Sequence, residues 1–477
     1  MRAEEARPLV VDMDGTLLQT DMLFESFLRA LKKRPWIVFL LPFWLLQGRA
    51  ALKARLATMG EVDVDVLPFR QDVLAFLRSE KQGGRKIVLA TASAASLARQ
   101  VASALSVFDD VLASESGKNL KGQAKAALLV DRYGEKGFDY MGNDQADIPV
   151  WRTCHTVHVV SNNKQFVARA QKMGVQAGRC FQSGVFSLAV LARAFRVHQW
   201  VKNVLVFVPL LMAHRFHEPM LLSKAVLAYI AFCLCASSVY LLNDMMDIDD
   251  DRHHRSKKNR PIASGELPIV AALLLFPLLF VLGFGLALFS VSVSFAWLLG
   301  LYYALTLAYS FSLKRQMMID VIVLAGLYTS RIAGGAFAIN VELSFWLITF
   351  SVFVFLSLAL VKRYAELLVL QGSGAEAIKG RGYCVDDLPT LLSLGTASAY
   401  LSVLVMALYL DTDKVADLYT RPYILWLLCP IMLYWIGRIW MITHRGQMHD
   451  DPIVFAIKDP VSRYTAVCMA LTLFLAS

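Results

Sequence analysis

From Leu267 to Leu313 the chain runs for 47 residues without one Asp, Glu, Lys or Arg. A single bilayer crossing takes about 20 apolar residues, so this run holds two spans with a short polar turn near Ser290 to Ser294. The same rule places apolar spans near 200–213, 221–242, 268–289, 294–312, 318–340, 343–361, 389–410, 422–443 and 460–477, about nine helices, the last only marginally long. Only 18% of the residues are charged, against about 25% in a soluble domain, which excludes a purely soluble enzyme. The seven cysteines form no CxxC pair and several sit in apolar runs, so neither a disulfide framework nor a zinc site is expected.

The formal charge of +10 would suit nucleic acid if the basic residues lay on one soluble face. They lie instead in alternate loops. Arg252, Arg255, Lys257, Lys258 and Arg260 follow the second span and Lys314 and Arg315 the fourth. Lys362, Arg363, Lys379 and Arg381 follow the sixth, and Arg445, Lys458 and Arg463 the eighth, whereas the opposite loops offer only Arg215, Lys224, Lys414 and Arg421. Basic loops stay in the cytoplasm. The expectation is therefore a multi-pass protein of the inner (cytoplasmic) membrane, with these loops and the N-terminal region cytoplasmic and no nucleic-acid partner. The N-terminus enters a charged, strand-forming segment directly, so no cleavable signal is expected.

At the end of the second span the sequence reads YLLNDMMDIDDDRHHRSKKNRPIASGEL. Asp244, Asp247 and Asp251 are spaced i, i+3, i+7, which predicts three carboxylates on one face of a helical turn beside the membrane. Such a cluster needs cations, and magnesium suits it, because it takes hard oxygen ligands and bridges carboxylates to substrate phosphates. Arg252, His254, Lys257 and Arg260 follow in one loop as phosphate donors. After the fourth span, YSFSLKRQMMID supplies a second polar motif with Tyr309, Lys314 and Asp320. Ionisable residues at span ends are costly and usually functional.

NDxxDxxxD, the basic loop with RPIASG, and the second motif resemble the UbiA superfamily of intramembrane prenyltransferases, over roughly residues 195–477. QWVKN (Gln199 to Asn203), Asp251 to Lys257, LKRQMMID, RIAGG (Arg331 to Gly335) and VKRYAEL (Val361 to Leu367) resemble its branch of decaprenyl-phosphate phosphoribosyltransferases. His253, Arg255 and Asn259 depart from that branch. The resemblance implies transfer of 5-phosphoribosyl from phosphoribosyl diphosphate (PRPP) to a polyprenyl phosphate. Asp244, Asp247 and Asp251 would hold magnesium, oriented by Asn243, and Lys257, Arg260 and Lys314 would stabilise phosphate charge. Lys202, Lys362 and Arg363, at span ends, would hold a 5-phosphate or lipid phosphate. Arg331 is open between substrate contact and a pairing with Asp320.

The first 180 residues read as a soluble α/β domain, with strand-like runs at Leu9 to Asp12, Lys86 to Ala90, Val111 to Ala113 and Phe138 to Met141. VVDMDGTL (Val10 to Leu17) resembles the first motif of the haloacid-dehalogenase-like (HAD) hydrolases, which implies a Rossmann-like fold. Asp12 would be the nucleophile and Asp14 the acid/base, two carboxylates aimed from one strand end into one cleft. Thr91 matches the second motif and Lys125 the third, better than Lys118 or Lys121. The fourth departs from GDxxxD: GNDQAD has Asn143 in place of the first acid, then Asp144 and Asp147. A magnesium site of Asp12, Asp14, Asn143, Asp144 and Asp147 would carry one charge less. An active phosphatase and a regulatory domain both stay open.

Residues of about 20–79 are expected to form a helical cap, and Trp36 to Leu46 (WIVFLLPFWLL) within it is too short to cross a membrane, leaving a buried helix or a membrane-surface contact. Residues 181–198 are expected as an interfacial linker helix and 199–477 as an all-α polytopic transferase domain. The fusion suggests that the HAD domain removes the 5-phosphate of the transferase product. The alternatives are an aromatic, 4-hydroxybenzoate-type polyprenyltransferase and a transporter with a regulatory soluble domain; acids and bases gathered at one membrane face, not mid-depth, argue against the latter. Membrane lipids are the expected surroundings, and a homo-oligomer is allowed.

Overall fold

The computed structural model describes residues 7–115, 119–184, 187–373, 381–448 and 451–477. Lys118, Lys379 and Phe186, on which parts of the sequence reading fall, lie outside them. The chain forms two compact units, Met1–Arg196 with Tyr240–Pro277, and Val197–Val239 with Leu278–Ser477.

The first unit is built on a parallel sheet. Its strands are β1 (Leu9–Val11), β2 (Ile87–Ala94), β3 (Asp110–Ser114), β4 (Asp139–Gly142), β5 (Thr156–Val160) and β6 (Gln176–Phe181), in the order β3-β2-β1-β4-β5-β6. β1 is apolar throughout because both faces are covered, as a parallel sheet requires. Leu9 and Val11 enter one core with Leu89 and Leu97, while Val10 enters the other with Val88, Tyr140 and Trp151. The order reverses at β1, and the strand ends on either side of such a point form the usual ligand crevice of a doubly wound fold. Asp12 follows β1 and Asn143 follows β4.

Between β1 and β2 lies a helical insertion: Met22–Lys33, Ile37–Leu46 and Arg49–Met59, a single turn at Val64–Val66, then Gln71–Gln82. Asp21 caps the first helix by accepting from Leu23 N at 2.8 Å, and Lys32 and Lys33 in its last turn complement the helix dipole. The helix Ile37–Leu46 departs from the buried alternative. Ile37 and Trp44 are buried in the cap with Leu41 partly buried beside them, and Phe39 and Leu46 are 78% and 86% exposed. An all-apolar helix has more apolar surface than one neighbouring layer can cover.

The protein is a multi-pass membrane protein with seven helices long and apolar enough to span among the described residues: Pro219–Met246, Ile269–Val291, Val293–Phe311, Ile319–Ile339, Phe345–Gly372, Val385–Leu410 and Pro422–His444. The charge-free run divides where the polar turn predicts, with a π-helical end at Ala287–Val291 and Ser292 accepting from Phe295 N at 3.1 Å to start the next helix. The first and last of the nine expected spans are shorter. Val197–Phe207 winds as a 3-10 helix and Pro209, in its preferred first-turn place, opens a separate helix Val208–Met212; the last runs only over Pro460–Ala476. In the second unit, close packing uses small residues. A Cβ on Gly395 would lie 2.1 Å from the Trp440 ring, whose Nε1 donates to Ser357 Oγ at 3.0 Å.

Candidate functional site

The HAD-like strand ends assemble a cavity of about 440 Å³, within the range of small-ligand sites. Asp12 accepts from Lys125 Nζ at 2.7 Å. The same Nζ donates at 3.0 Å to Tyr140 Oη, which donates at 2.7 Å to Asp147 Oδ1. Burial pushes Asp12 up to about 7 against the pull of Lys125, with Asp147 and Asp14 adding to the rise. Asp14 accepts from Met22 N at 2.9 Å and from Ser93 Oγ at 2.6 Å. Gly15 holds φ +75°, and a Cβ there would lie 2.3 Å from Asn143 Nδ2, so this glycine lets the first and fourth motifs meet.

Thr91 is fully buried, its hydroxyl accepting from Ser93 N at 3.0 Å. Asn143 Oδ1 accepts from Thr16 Oγ1 at 3.0 Å. Asp147 is occupied otherwise than a metal ligand would be: besides Tyr140 it accepts from Asn143 N and Asp144 N at 3.0 and 3.1 Å, so it shapes the turn. Asp144 is exposed and caps that turn through Gln145 N. The oxygens of Asp12, Asp14 and Asn143, backed by Lys125, suit a magnesium ion of reduced ligand charge. Sequence reasoning missed Ser93 and Tyr140, whose chain positions carry no motif signal.

The acidic segment belongs to the same unit. The helix Pro219–Met246 ends before Asp247, and a new one runs over Ile248–His253, so the three aspartates do not share one continuous helix face. Asp244 and Asp251 converge instead on Arg260, whose Nη1 lies 3.2 Å from one carboxylate and 2.6 Å from the other. Asp244 also pairs with Arg196. Asp251 is 2% exposed, and burial raises its carboxyl despite Arg260. Among the described residues no three acids, histidines or cysteines converge on a metal position. Two carboxylates that already share one cationic nitrogen do fit magnesium, which commonly keeps water and substrate phosphates as its other ligands. Asn243 and Asp247 are half-buried beside them, and His254 and Lys257 are exposed on the loop.

Arg252, expected as a phosphate donor, is committed elsewhere. Its two terminal nitrogens donate to Glu25 of the cap at 3.0 and 2.7 Å and its Nε to Ala263 O at 2.9 Å. Glu25 is fully buried; burial works to raise it, and Arg252 with Arg29 overcomes that and holds it below the usual carboxylate range. Arg252→Met is therefore expected to destabilise this unit by about 3–5 kcal/mol, the cost of breaking a buried pair. A lower melting temperature in detergent would show it, whereas a raised KM for a phosphorylated substrate at unchanged melting temperature would contradict it.

In the second unit Asp320 and Arg363 are both 0% exposed. Arg363 Nε donates to Asp320 at 2.5 Å, Nη1 to Glu366 at 2.5 Å and Nη2 to Tyr309 Oη at 3.2 Å, while Tyr383 Oη donates to Asp320 at 2.5 Å. Arg331 does not pair with Asp320. It donates to Asn203 Oδ1 at 2.8 Å and Tyr302 Oη at 2.9 Å and lies over the Tyr302 and Tyr328 rings. Lys202 and Lys362 reach Asp451 Oδ2 at 2.9 and 3.2 Å. Burial would raise Asp451, but Lys362 and Lys202 pull it down to about 2. Asp451 follows the eighth expected span and was not singled out by its neighbours. Lys314 is half-buried on the single turn Leu313–Arg315.

The chain is similar to known proteins. The sequence pattern of the UbiA prenyltransferase family matches residues 203–458, and that of the haloacid dehalogenase-like hydrolases matches residues 9–152. The uncharacterized protein y4nM of Sinorhizobium fredii is 36% identical over 468 residues, 97% of this chain and 90% of that protein. A decaprenyl-phosphate phosphoribosyltransferase of Corynebacterium glutamicum is 37% identical over 193 residues, 40% of this chain and 58% of that enzyme. The structure of a UbiA homolog from Archaeoglobus fulgidus bound to GPP and Mg2+ superposes with a TM-score of 0.45 at 15% identity, covering 59% of this chain and 96% of that one.

Proposed function

Because the chain belongs to the UbiA prenyltransferase family and carries a HAD-like domain N-terminal to that membrane-embedded transferase, we propose that it transfers 5-phosphoribosyl from PRPP to a polyprenyl phosphate. The observation that carries the choice of substrates is the identity with a decaprenyl-phosphate phosphoribosyltransferase. A phosphate oxygen of the lipid attacks C1 of the ribose, the bond from C1 to the diphosphate oxygen breaks, and diphosphate leaves. The nucleophile is already an anion, so the chain supplies orientation and charge compensation with no base.

Asp244 and Asp251 would hold magnesium, with Asp247 and Asn243 beside them. The metal, when bound, supplies Lewis acidity toward the leaving diphosphate. Arg260 then turns from the carboxylates to phosphate oxygens, and Lys257 and His254 add donors from the same loop. In the second unit a phosphate would replace Asp451 as counter-charge to Lys202 and Lys362. Asp320 and Arg363 hold one another and Tyr309 in place, and Lys314 would add its charge toward phosphate. The inner membrane and a cytoplasmic site complete this reading, in keeping with the basic loops.

The HAD-like domain would then remove the 5-phosphate. Asp12, kept in place by Lys125, attacks phosphorus; the bond to the ribose oxygen breaks and Asp14 gives that oxygen its proton; water releases inorganic phosphate from the aspartyl ester. Magnesium would be held there by Asp12 and Asn143, with Asp14 beside them as the proton donor. The transfer is tested by diphosphate release from purified protein with magnesium. Release that requires PRPP and polyprenyl phosphate together is expected, and release from PRPP without the lipid would contradict it.

A further inference from the structure

The cavity at Asp12 contains more cationic groups than the HAD chemistry uses. Lys125 is taken by Asp12, but Lys53, Arg70 and Lys121 also line the wall. Arg70 is the informative one. It is 7% exposed, its Nη1 donates to Gln182 O at 3.2 Å, and its buried Nε has no hydrogen-bond partner among the described residues. Asp72 lies near enough to favour its charge, but no carboxylate forms an ion pair with it among the described residues, and a buried guanidinium so weakly compensated is costly unless an anion arrives to pair with it. Lys53 donates to a backbone carbonyl, Ala92 O at 2.8 Å, with Asp14 and Asp21 near enough to favour its charge, and Lys121 is exposed. Among the acids of this wall, Asp21 caps a helix and also faces Lys53 and Lys121, Asp144 caps a turn, Asp147 accepts from Tyr140, and Glu266 pairs with Arg193, which leaves Arg70 the least compensated cation.

The opposite character appears in another part of the same wall. Pro268, Ile269 and Val270 line the cavity, and Ile269 begins the membrane helix Ile269–Val291, whose mean hydropathy reaches 2.7. The loop before it is fixed against the HAD-like core, since a Cβ on Gly265 would lie 2.6 Å from Gln19 Cβ. One cavity thus combines a phosphatase nucleophile, a buried guanidinium without an ion pair among the described residues and the first turn of a membrane helix. The exposed apolar cap helix Ile37–Leu46, preceded by Lys32, Lys33 and Arg34, accords with a lipid surface nearby.

We propose that Arg70, with Lys53 and Lys121, forms a second anion subsite in this cavity, which holds the phosphodiester of a lipid-linked phosphosugar while its phosphomonoester lies at Asp12. The lipid chain leaves along Pro268 to Val270. The inference rests on the HAD-like domain being a phosphatase and names its substrate class: a monoester borne on a prenyl phosphodiester, in preference to a free sugar phosphate.

The test uses the full chain in detergent with magnesium and two probes, ribose 5-phosphate and ribose 5-phosphate joined at C1 through a phosphodiester to farnesol. The lipid probe is expected to have a kcat/KM about 100-fold higher, combining a charge-assisted contact with apolar burial. Arg70→Met should shrink that preference about tenfold, Arg70→Lys should restore part of it, and Lys121→Met, on an exposed residue, should shrink it with no risk to folding. Equal turnover of the two probes, or a preference unchanged in both Met variants, overturns the proposal. Binding of the lipid probe to the Asp12→Asn chain separates the two readings. If neither probe releases phosphate, the phosphatase reading falls, and the subsite stands or falls on whether Arg70→Met in that background weakens binding about tenfold.

Discussion

Asp251→Asn is expected to lower phosphoribosyl transfer to polyprenyl phosphate by about 100- to 1,000-fold, the loss of about 3–4 kcal/mol of transition-state stabilisation. The substitution keeps the side-chain volume and removes one of the two carboxylates that converge on Arg260. Arg260 keeps Asp244 as a partner, so the segment should fold and the deficit should fall on metal and diphosphate. Titration with magnesium separates the cases: raising the metal concentration should recover part of the activity. Transfer within about threefold of the unsubstituted chain would remove Asp251 from the account, because a lost charged contact at a reacting phosphate costs at least 1.5 kcal/mol.

The second large effect is expected from Asp12→Asn. Loss of the nucleophile should cut phosphate release by about 10,000-fold, so that the lipid product keeps its 5-phosphate. The amide still fits beside Lys125, which retains Tyr140 as an acceptor at 3.0 Å. Mass spectrometry of the extracted lipid reads the outcome directly: a product one phosphate heavier with the variant supports the assignment. Equal loss of the 5-phosphate from both proteins would show that the domain does not perform that step, and the reading as a regulatory domain would take its place.

Much of the fold was legible because its signals are local. VVDMDGTL ends a fully buried strand, and the run from Leu267 to Leu313 leaves no alternative to paired membrane helices. The last two strands were missed for physical reasons. β5 carries His158 amid its apolar residues, and β6, QAGRCF, is an edge strand whose side chains are mostly exposed, so neither shows a clean apolar pattern. The cap helix Ile37–Leu46 was left open between a buried helix and a membrane-surface contact, because composition alone does not say which face is covered, and its outer face is uncovered.

Site residues were legible as chemistry more than as partnerships. The spacing of Asp244, Asp247 and Asp251 anticipated a shared face, yet the helix breaks at Asp247, and Asp244 and Asp251 meet at Arg260. Arg252 looked like a phosphate ligand because its partner, Glu25, is 227 residues away in sequence. Arg363 and Asp320 are likewise joined across 43 residues. Distances of that kind leave no periodic trace, and Arg70 carries no motif; its burial, and a buried Nε without a hydrogen-bond partner among the described residues, single it out.

The central claim concerns what is transferred, and label partitioning tests it most directly. Purified protein with magnesium is given PRPP labelled in the ribose plus a polyprenyl phosphate, and separately a polyprenyl diphosphate plus labelled 4-hydroxybenzoate. The account predicts label in the lipid phase from the first mixture, dependent on the polyprenyl phosphate. Label entering the lipid only from the second mixture would contradict it and assign the protein to aromatic prenyl transfer.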